Sequence, residues 1–118
     1  PEASRTYIVF FDWDSSALVN NAKVIVDRAA EASSHVATTR IEVNGYTDTS
    51  SAKGGASGRA YNKSLSLRRA HAVADELVSH GVSLSEISIH GYGEENLLEP
   101  TGPNVRNPVN RRVEIILK

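Results

Sequence analysis

Residues 39–48 read TRIEVNGYTD, and this stretch decides the fold. Ile41, Val43 and Gly45 alternate with Arg40, Glu42 and Asn44. Alternation this regular marks a strand with one buried face. The strand ends in Gly45-Tyr46-Thr47-Asp48. Residues 47–62 (TDTSSAKGGASGRAYN) are rich in Gly, Ser and Thr, which predicts a loop longer than the usual connection. Over residues 63–80 the period becomes helical. Ala70, Val73, Ala74 and Leu77 form an apolar stripe, and Gly81 closes the helix.

Upstream, residues 6–13 (TYIVFFDW) predict a strand, with Ile8 and Phe10 on one face and Tyr7, Val9, Phe11 and Trp13 on the other. Bulk on both faces predicts a central or covered strand. Leu18, Ala22, Ile25 and Ala29 then recur at helical spacing, which predicts a helix over residues 16–33 capped by Ser15 or Ser16. Downstream, residues 87–92 predict a third strand. A loop with Pro100, Pro103 and Pro108 follows it. Residues 110–118 predict a last strand, where Val113, Ile115 and Leu117 alternate with Arg112, Glu114 and Ile116. The order is βαβαββ. It predicts an α+β, two-layer domain, with a mixed four-stranded sheet and two main helices packed on one face. No repeat or linker interrupts it, so residues 1–118 read as one domain with a core over about residues 6–117.

At 118 residues the chain buries roughly two thirds of its unfolded surface and needs no staple. It has no cysteine, which excludes a disulfide scaffold, a thiol nucleophile and a thiolate metal site. Acidic and basic residues balance, 14 against 13, so neither nucleic acid nor an anionic membrane surface is implied as a partner. No apolar run approaches the ~20 residues of a membrane span. No stretch of these residues reads as a signal peptide. The chain begins at Pro1 and lacks methionine, which is the expectation for a processed piece. A link to a membrane is then expected only through an upstream segment.

The enzyme signals are weak. Gly91-Tyr92-Gly93 lacks the third glycine of a dinucleotide fingerprint, and the tract at residues 54–58 has neither a phosphate-loop Lys nor a nucleophile elbow. His35, His71, His80 and His90 are scattered. His71 and Asp75 stand four apart on a helix, a spacing that fits a solvated pair better than a metal site. Asp12 and Asp14 alternate out of a strand end. Turn chemistry accounts for Asp14 and leaves Asp12 open. The remaining polar signal sits at element ends. On the second helix Arg68 falls about 170° from the apolar stripe and Arg69 about 90°, so only Arg69 can lean over the sheet edge. Arg111 is in phase with Val113 and needs a carboxylate or a ligand. On the residues alone, Asp48, Arg69 and Arg111 form either a ligand site or ion pairs and caps.

Several blocks occur together and in order: Val9-Phe10-Phe11-Asp12; Val43-Asn44-Gly45-Tyr46-Thr47-Asp48; Asn62-Lys63-Ser64-Leu65-Ser66-Leu67-Arg68-Arg69-Ala70; Gly91-Tyr92-Gly93; and Asn110-Arg111-Arg112-Val113-Glu114-Ile115. Together they resemble the OmpA-like domain, the peptidoglycan-binding module of OmpA-type porins, Pal lipoproteins and MotB-type stator proteins. The resemblance implies a periplasmic domain of an envelope-anchored protein. Such a domain binds the meso-diaminopimelate of the wall's stem peptide non-covalently and uses no cofactor, metal or catalysis. By the same resemblance Asp48 and Arg69 are the key pair, Asp48 for the ligand's ammonium and Arg69 for its carboxylate, with backbone N–H groups at a helix start adding to the carboxylate site. Thr47, Asn62, Arg111 and Asp12 complete the expected site. In many relatives the Asp and Arg stand closer together. Here they are 21 positions apart, and the extra residues fall within 50–59. Two other readings remain: a protein-interaction domain that kept the fold without the ligand, and a wall hydrolase using Asp12 and Asp48. An exposed sheet edge leaves pairing into a homodimer open.

Overall fold

The computed structural model describes residues 5–35, 40–51 and 54–118. Four strands form one mixed sheet: β1 (Arg5–Phe10), β2 (Ile41–Gly45), β3 (Ile87–Gly91) and β4 (Arg112–Leu117). Their spatial order is β1-β4-β2-β3. β4 runs antiparallel to β1 and β2, while β2 and β3 are parallel. A parallel pair needs a crossover, and the helix α2 (Gly55–Ser79) supplies it. The other helix, α1 (Asn20–His35), packs on β1, and α2 packs on β2, β3 and β4. The α+β architecture expected from the element order is the one observed.

The strand register explains how α2 is seated. Tyr7, Ile115, Val43 and Ile89 form one row across the sheet, and Val9, Val113, Gly45 and Gly91 form the next. Val26 and Ala29 of α1 and Val73 and Leu77 of α2 close over these rows, all wholly buried. Each such branched side chain contributes roughly 1.5–3 kcal/mol. At the two glycines the helix backbone lies directly on the sheet. A Cβ at Gly45 would sit 2.0 Å from the Ser66 carbonyl oxygen, and one at Gly91 would sit 2.7 Å from the Leu67 nitrogen. This contact fixes the height of α2, and Arg69 follows one turn later. Gly45→Ala is therefore expected to lower stability by about 2–3 kcal/mol. That corresponds to a melting temperature lower by on the order of 10 °C, read by thermal circular dichroism.

Three expectations need correction. The first strand lies at a sheet edge and is not covered on both faces. Phe10 is 48% exposed and lines a groove with Val19 and Val109, so its apolar character serves that groove and not a second layer. The first helix starts at Asn20, later than expected, because Ser15 is held in a turn. Its hydroxyl accepts from the Ala17 N–H (3.1 Å), and its carbonyl accepts from Arg69 (2.8 Å). The second helix starts at Gly55, so half of the expected loop is helical. Its buried stripe begins Gly58, Asn62, Leu65, Ser66, Arg69, in which Leu65 alone is hydrophobic, too little to mark a period. The expected strand start at Thr39, and the expected loop at Ala52 and Lys53, lie outside the described residues.

Candidate functional site

Beyond β2 the chain keeps a strand-like course. The Tyr46 N–H donates to the Arg112 carbonyl (2.8 Å) and the Thr47 N–H to the Gly93 carbonyl (2.8 Å). Asp48 thus emerges beyond the C-terminal ends of the parallel pair β2 and β3, only 2% exposed. Its Oδ1 accepts from the Ser50 N–H (3.0 Å) and the Ser50 hydroxyl (2.7 Å). Its Oδ2 accepts from the Asn107 N–H (3.0 Å) and Arg111 Nη1 (3.1 Å). A carboxylate offers about four lone-pair sites, and all four are taken. Arg111 is anchored further by Nε, which donates to the Phe11 carbonyl (3.0 Å).

Arg69 is wholly buried. Sequence reasoning put it at the border of the buried face; the seating of α2 on Gly45 brings it inside. It does not pair directly with Asp48. Nε donates to the Ser15 carbonyl (2.8 Å), Nη1 to the Tyr46 carbonyl (3.1 Å) and Nη2 to the Asp12 carbonyl (2.9 Å). Three of its five N–H groups are spent and two remain. Burial pushes its pKa down to about 10, against the opposing pull of Asp48, so it still carries its charge at neutral pH.

Asp48 and Arg69 line one cavity of about 390 Å³, together with Thr47, Asn62 and Arg111. Five of the six expected site residues therefore converge. Asn62 is buried and ties the walls together, donating to the Asp48 carbonyl (3.4 Å), the Ser50 carbonyl (3.2 Å) and Glu94 Oε2 (3.1 Å). Thr47 donates its hydroxyl to the Asp48 carbonyl (2.8 Å). Asp12 is the exception. Its carbonyl serves Arg69, but the residue is exposed and borders the neighbouring apolar groove. Asp12 and Asp48 thus line different cavities. The lining contributed by α2 begins at Tyr61, well inside the helix, so the free N–H groups of its first turn do not reach the cavity.

Sequence reasoning missed Trp13, Asp14, Ser50, Tyr61 and Leu65, which also line the cavity. The Asp12–Asp14 alternation was a usable signal with the emphasis reversed. Asp14 has φ 51, outside the strand region, and its carboxylate accepts from the Tyr61 hydroxyl at the cavity wall. That hydrogen bond raises the Tyr61 pKa. Trp13 Nε1 donates to Ser50 Oγ (2.8 Å), the same hydroxyl that donates to Asp48. The cavity thus presents two guanidiniums, two carboxylates and an aromatic rim. His71 and Asp75 lie on the exposed side of α2.

The sequence model of the OmpA family matches residues 10–111. A protein named outer membrane protein, from Gluconacetobacter diazotrophicus, is 61% identical over 117 residues, covering 99% of this chain and 31% of that protein. The peptidoglycan-binding protein ArfA of Mycobacterium tuberculosis is 32% identical over 109 residues, covering 92% of this chain and 32% of ArfA. Among solved structures, the OmpA-like domain of FopA1 from Francisella tularensis has a TM-score of 0.79 at 25% identity, covering 97% of this chain and 71% of that one. The chain spans about a third of the length of these two curated relatives.

Proposed function

This chain belongs to the OmpA family, and from that premise we propose that it binds peptidoglycan non-covalently through meso-diaminopimelate and so ties an envelope protein to the wall from the periplasm. No catalytic step is part of this reading. The observation that carries it is Arg69, a buried guanidinium whose partners are all carbonyls, with two N–H groups unspent at a cavity wall. A buried cation without a carboxylate partner calls for an anion. The free end of diaminopimelate carries a carboxylate and an ammonium on one carbon. Its carboxylate suits the Arg69 fork, which holds planar anions through two parallel hydrogen bonds.

The ammonium needs an acceptor. The oxygens of Asp48 are saturated by Ser50, Asn107 and Arg111. Asp48 therefore acts on the ammonium mainly through its charge, and by holding the loops that shape the cavity. Asp14 supplies the oxygen that Tyr61 leaves free. The name of ArfA as a peptidoglycan-binding protein supports the ligand class.

A lysine at the same stem position has the ammonium but no carboxylate. Arg69 would then be left unpaired in a desolvated site, at a cost of about 1–3 kcal/mol. Pelleting the protein with purified diaminopimelate-type and lysine-type walls tests this. The expected result is about 5- to 150-fold weaker binding to the lysine type. Equal binding to both would overturn recognition of the zwitterionic head.

A further inference from the structure

A further cavity of about 430 Å³ adjoins the main one, lined by Trp13, Ser50, Ser51, Asn104 and Arg106. Trp13, Ser50 and Ser51 line both, so the two spaces meet at one indole. The Arg106 guanidinium lies 3.7 Å from the centre of the Trp13 ring. Both partners are held. The indole N–H donates to Ser50 Oγ (2.8 Å). The loop before Arg106 is pinned where the Thr49 hydroxyl donates to the Gly102 carbonyl (2.8 Å) and accepts from the Val105 N–H (2.9 Å). Directly after it, the Asn107 N–H donates to Asp48 (3.0 Å).

Arg106 is exposed, and among the described residues it forms no ion pair. A guanidinium over an aromatic face is engaged through its plane, which leaves its N–H edge available to a planar anion. We propose that Arg106, seated on Trp13, is a second anion subsite, taking another carboxylate of the same stem peptide whose diaminopimelate head fills the main cavity. The proposal rests on the reading of the main cavity given above. The stem peptide has two such carboxylates: that of its glutamyl residue, and that at its C-terminus. Either one needs the same chemistry from Arg106.

Trp13 is the only tryptophan of the chain, so its emission reports directly on the shared wall. The probes are free meso-diaminopimelate, the tripeptide L-Ala-γ-D-Glu-meso-diaminopimelate, and two forms of that tripeptide, amidated at the glutamyl or the C-terminal carboxylate. The proteins are wild type, Arg106→Gln and Arg106→Lys, with circular dichroism as the fold control. Arg106→Gln is expected to bind the tripeptide about three- to fivefold more weakly, the size of an exposed ion pair. Free diaminopimelate keeps the carboxylate that ends the tripeptide but has no glutamyl group, so Arg106→Gln should bind it unchanged if the glutamyl carboxylate is the partner and more weakly if the C-terminal one is. Arg106→Lys should recover most of the loss. The amidated form on which Arg106→Gln makes no difference identifies the carboxylate. An Arg106→Gln protein that keeps wild-type affinity for the tripeptide, or that loses equally on every probe, overturns the subsite. If free diaminopimelate and the tripeptide both fail to bind wild type, the reading of the main cavity falls, and the subsite falls with it.

Discussion

Arg69→Ala is expected to abolish wall binding and to lower stability by about 3–4 kcal/mol. The two losses have separate causes. Binding is lost because the guanidinium that remains in the cavity, Arg111, is already paired with Asp48 and the fork aimed at the ligand's carboxylate is gone. Stability is lost because the carbonyls of Asp12, Ser15 and Tyr46, from two separate segments, lose their shared donor. Each buried acceptor left unpaired costs roughly 1–3 kcal/mol, offset in part by relief of a desolvated charge. Because the alanine variant risks unfolding, Arg69→Lys separates the two roles. An ammonium keeps the charge and part of the carbonyl cradle, but it cannot bridge three carbonyls and present a bidentate edge at once. The expected result is a folded protein with wall binding at least about tenfold weaker. Unchanged binding by Arg69→Lys would show that the fork does not touch the ligand. Arg68→Ala is the control. Its exposed side chain donates to Ser64 Oγ (2.8 Å) and lies 5.5 Å from the centre of the Tyr61 ring. Its removal should change stability by no more than about 0.5 kcal/mol.

Asp48→Asn should be the second largest loss, about 3 kcal/mol of stability with wall binding below detection. The substitution keeps the shape and removes the charge. One side of the new amide is an NH2 group. Placed toward Oδ2 it meets the Asn107 N–H and Arg111 Nη1, two donors with nothing to accept them. Placed toward Oδ1 it meets the Ser50 N–H. In either placement Arg111, whose side chain is 14% exposed, loses its anion. Breaking such a pair by removing one partner costs about 3–5 kcal/mol. The amide recovers part of this through its remaining oxygen. A double-mutant cycle with Arg111→Gln, followed by urea unfolding, measures the coupling directly. A value of about 1.5–3 kcal/mol is expected. Additive losses would mean that Asp48 and Arg111 act independently, and that Arg111 does not hold the aspartate in place.

The parts of this arrangement that the sequence made legible are those with a hydrophobic period. β2 could be read from Ile41, Val43 and Gly45, and the C-terminal half of α2 from Ala70, Val73 and Leu77. Phase also separated Arg69 from Arg68, since Arg69 alone lies near the buried side. The N-terminal half of α2 was not legible. Its inward positions are Gly58, Asn62, Leu65 and Ser66; Asn62 serves the cavity and Ser66 the close helix–sheet contact, so Leu65 is the one apolar residue among them and no stripe is marked. The partners of Arg69 were hidden for another reason. They are backbone carbonyls, and an acceptor common to every residue leaves no trace in sequence. The roles of Asp12 and Asp14 came out reversed because strand alternation stops before them. The positive φ of Asp14 sets its direction, and a period of two cannot foresee that.

The central claim is that Arg69 and its cavity hold the zwitterionic end of meso-diaminopimelate. Nuclear magnetic resonance of the 118-residue chain, labelled on arginine side chains and titrated with free meso-diaminopimelate, addresses it most directly. The account predicts a saturating shift of the Arg69 Nε–H signal, with shifts at the Trp13 indole and Asn62 amide, and little response to Nα-acetyl-lysine amide, which offers an ammonium and no carboxylate, at the same concentrations. An Arg69 signal that does not move while other regions respond, or that moves equally with Nα-acetyl-lysine amide, would contradict it.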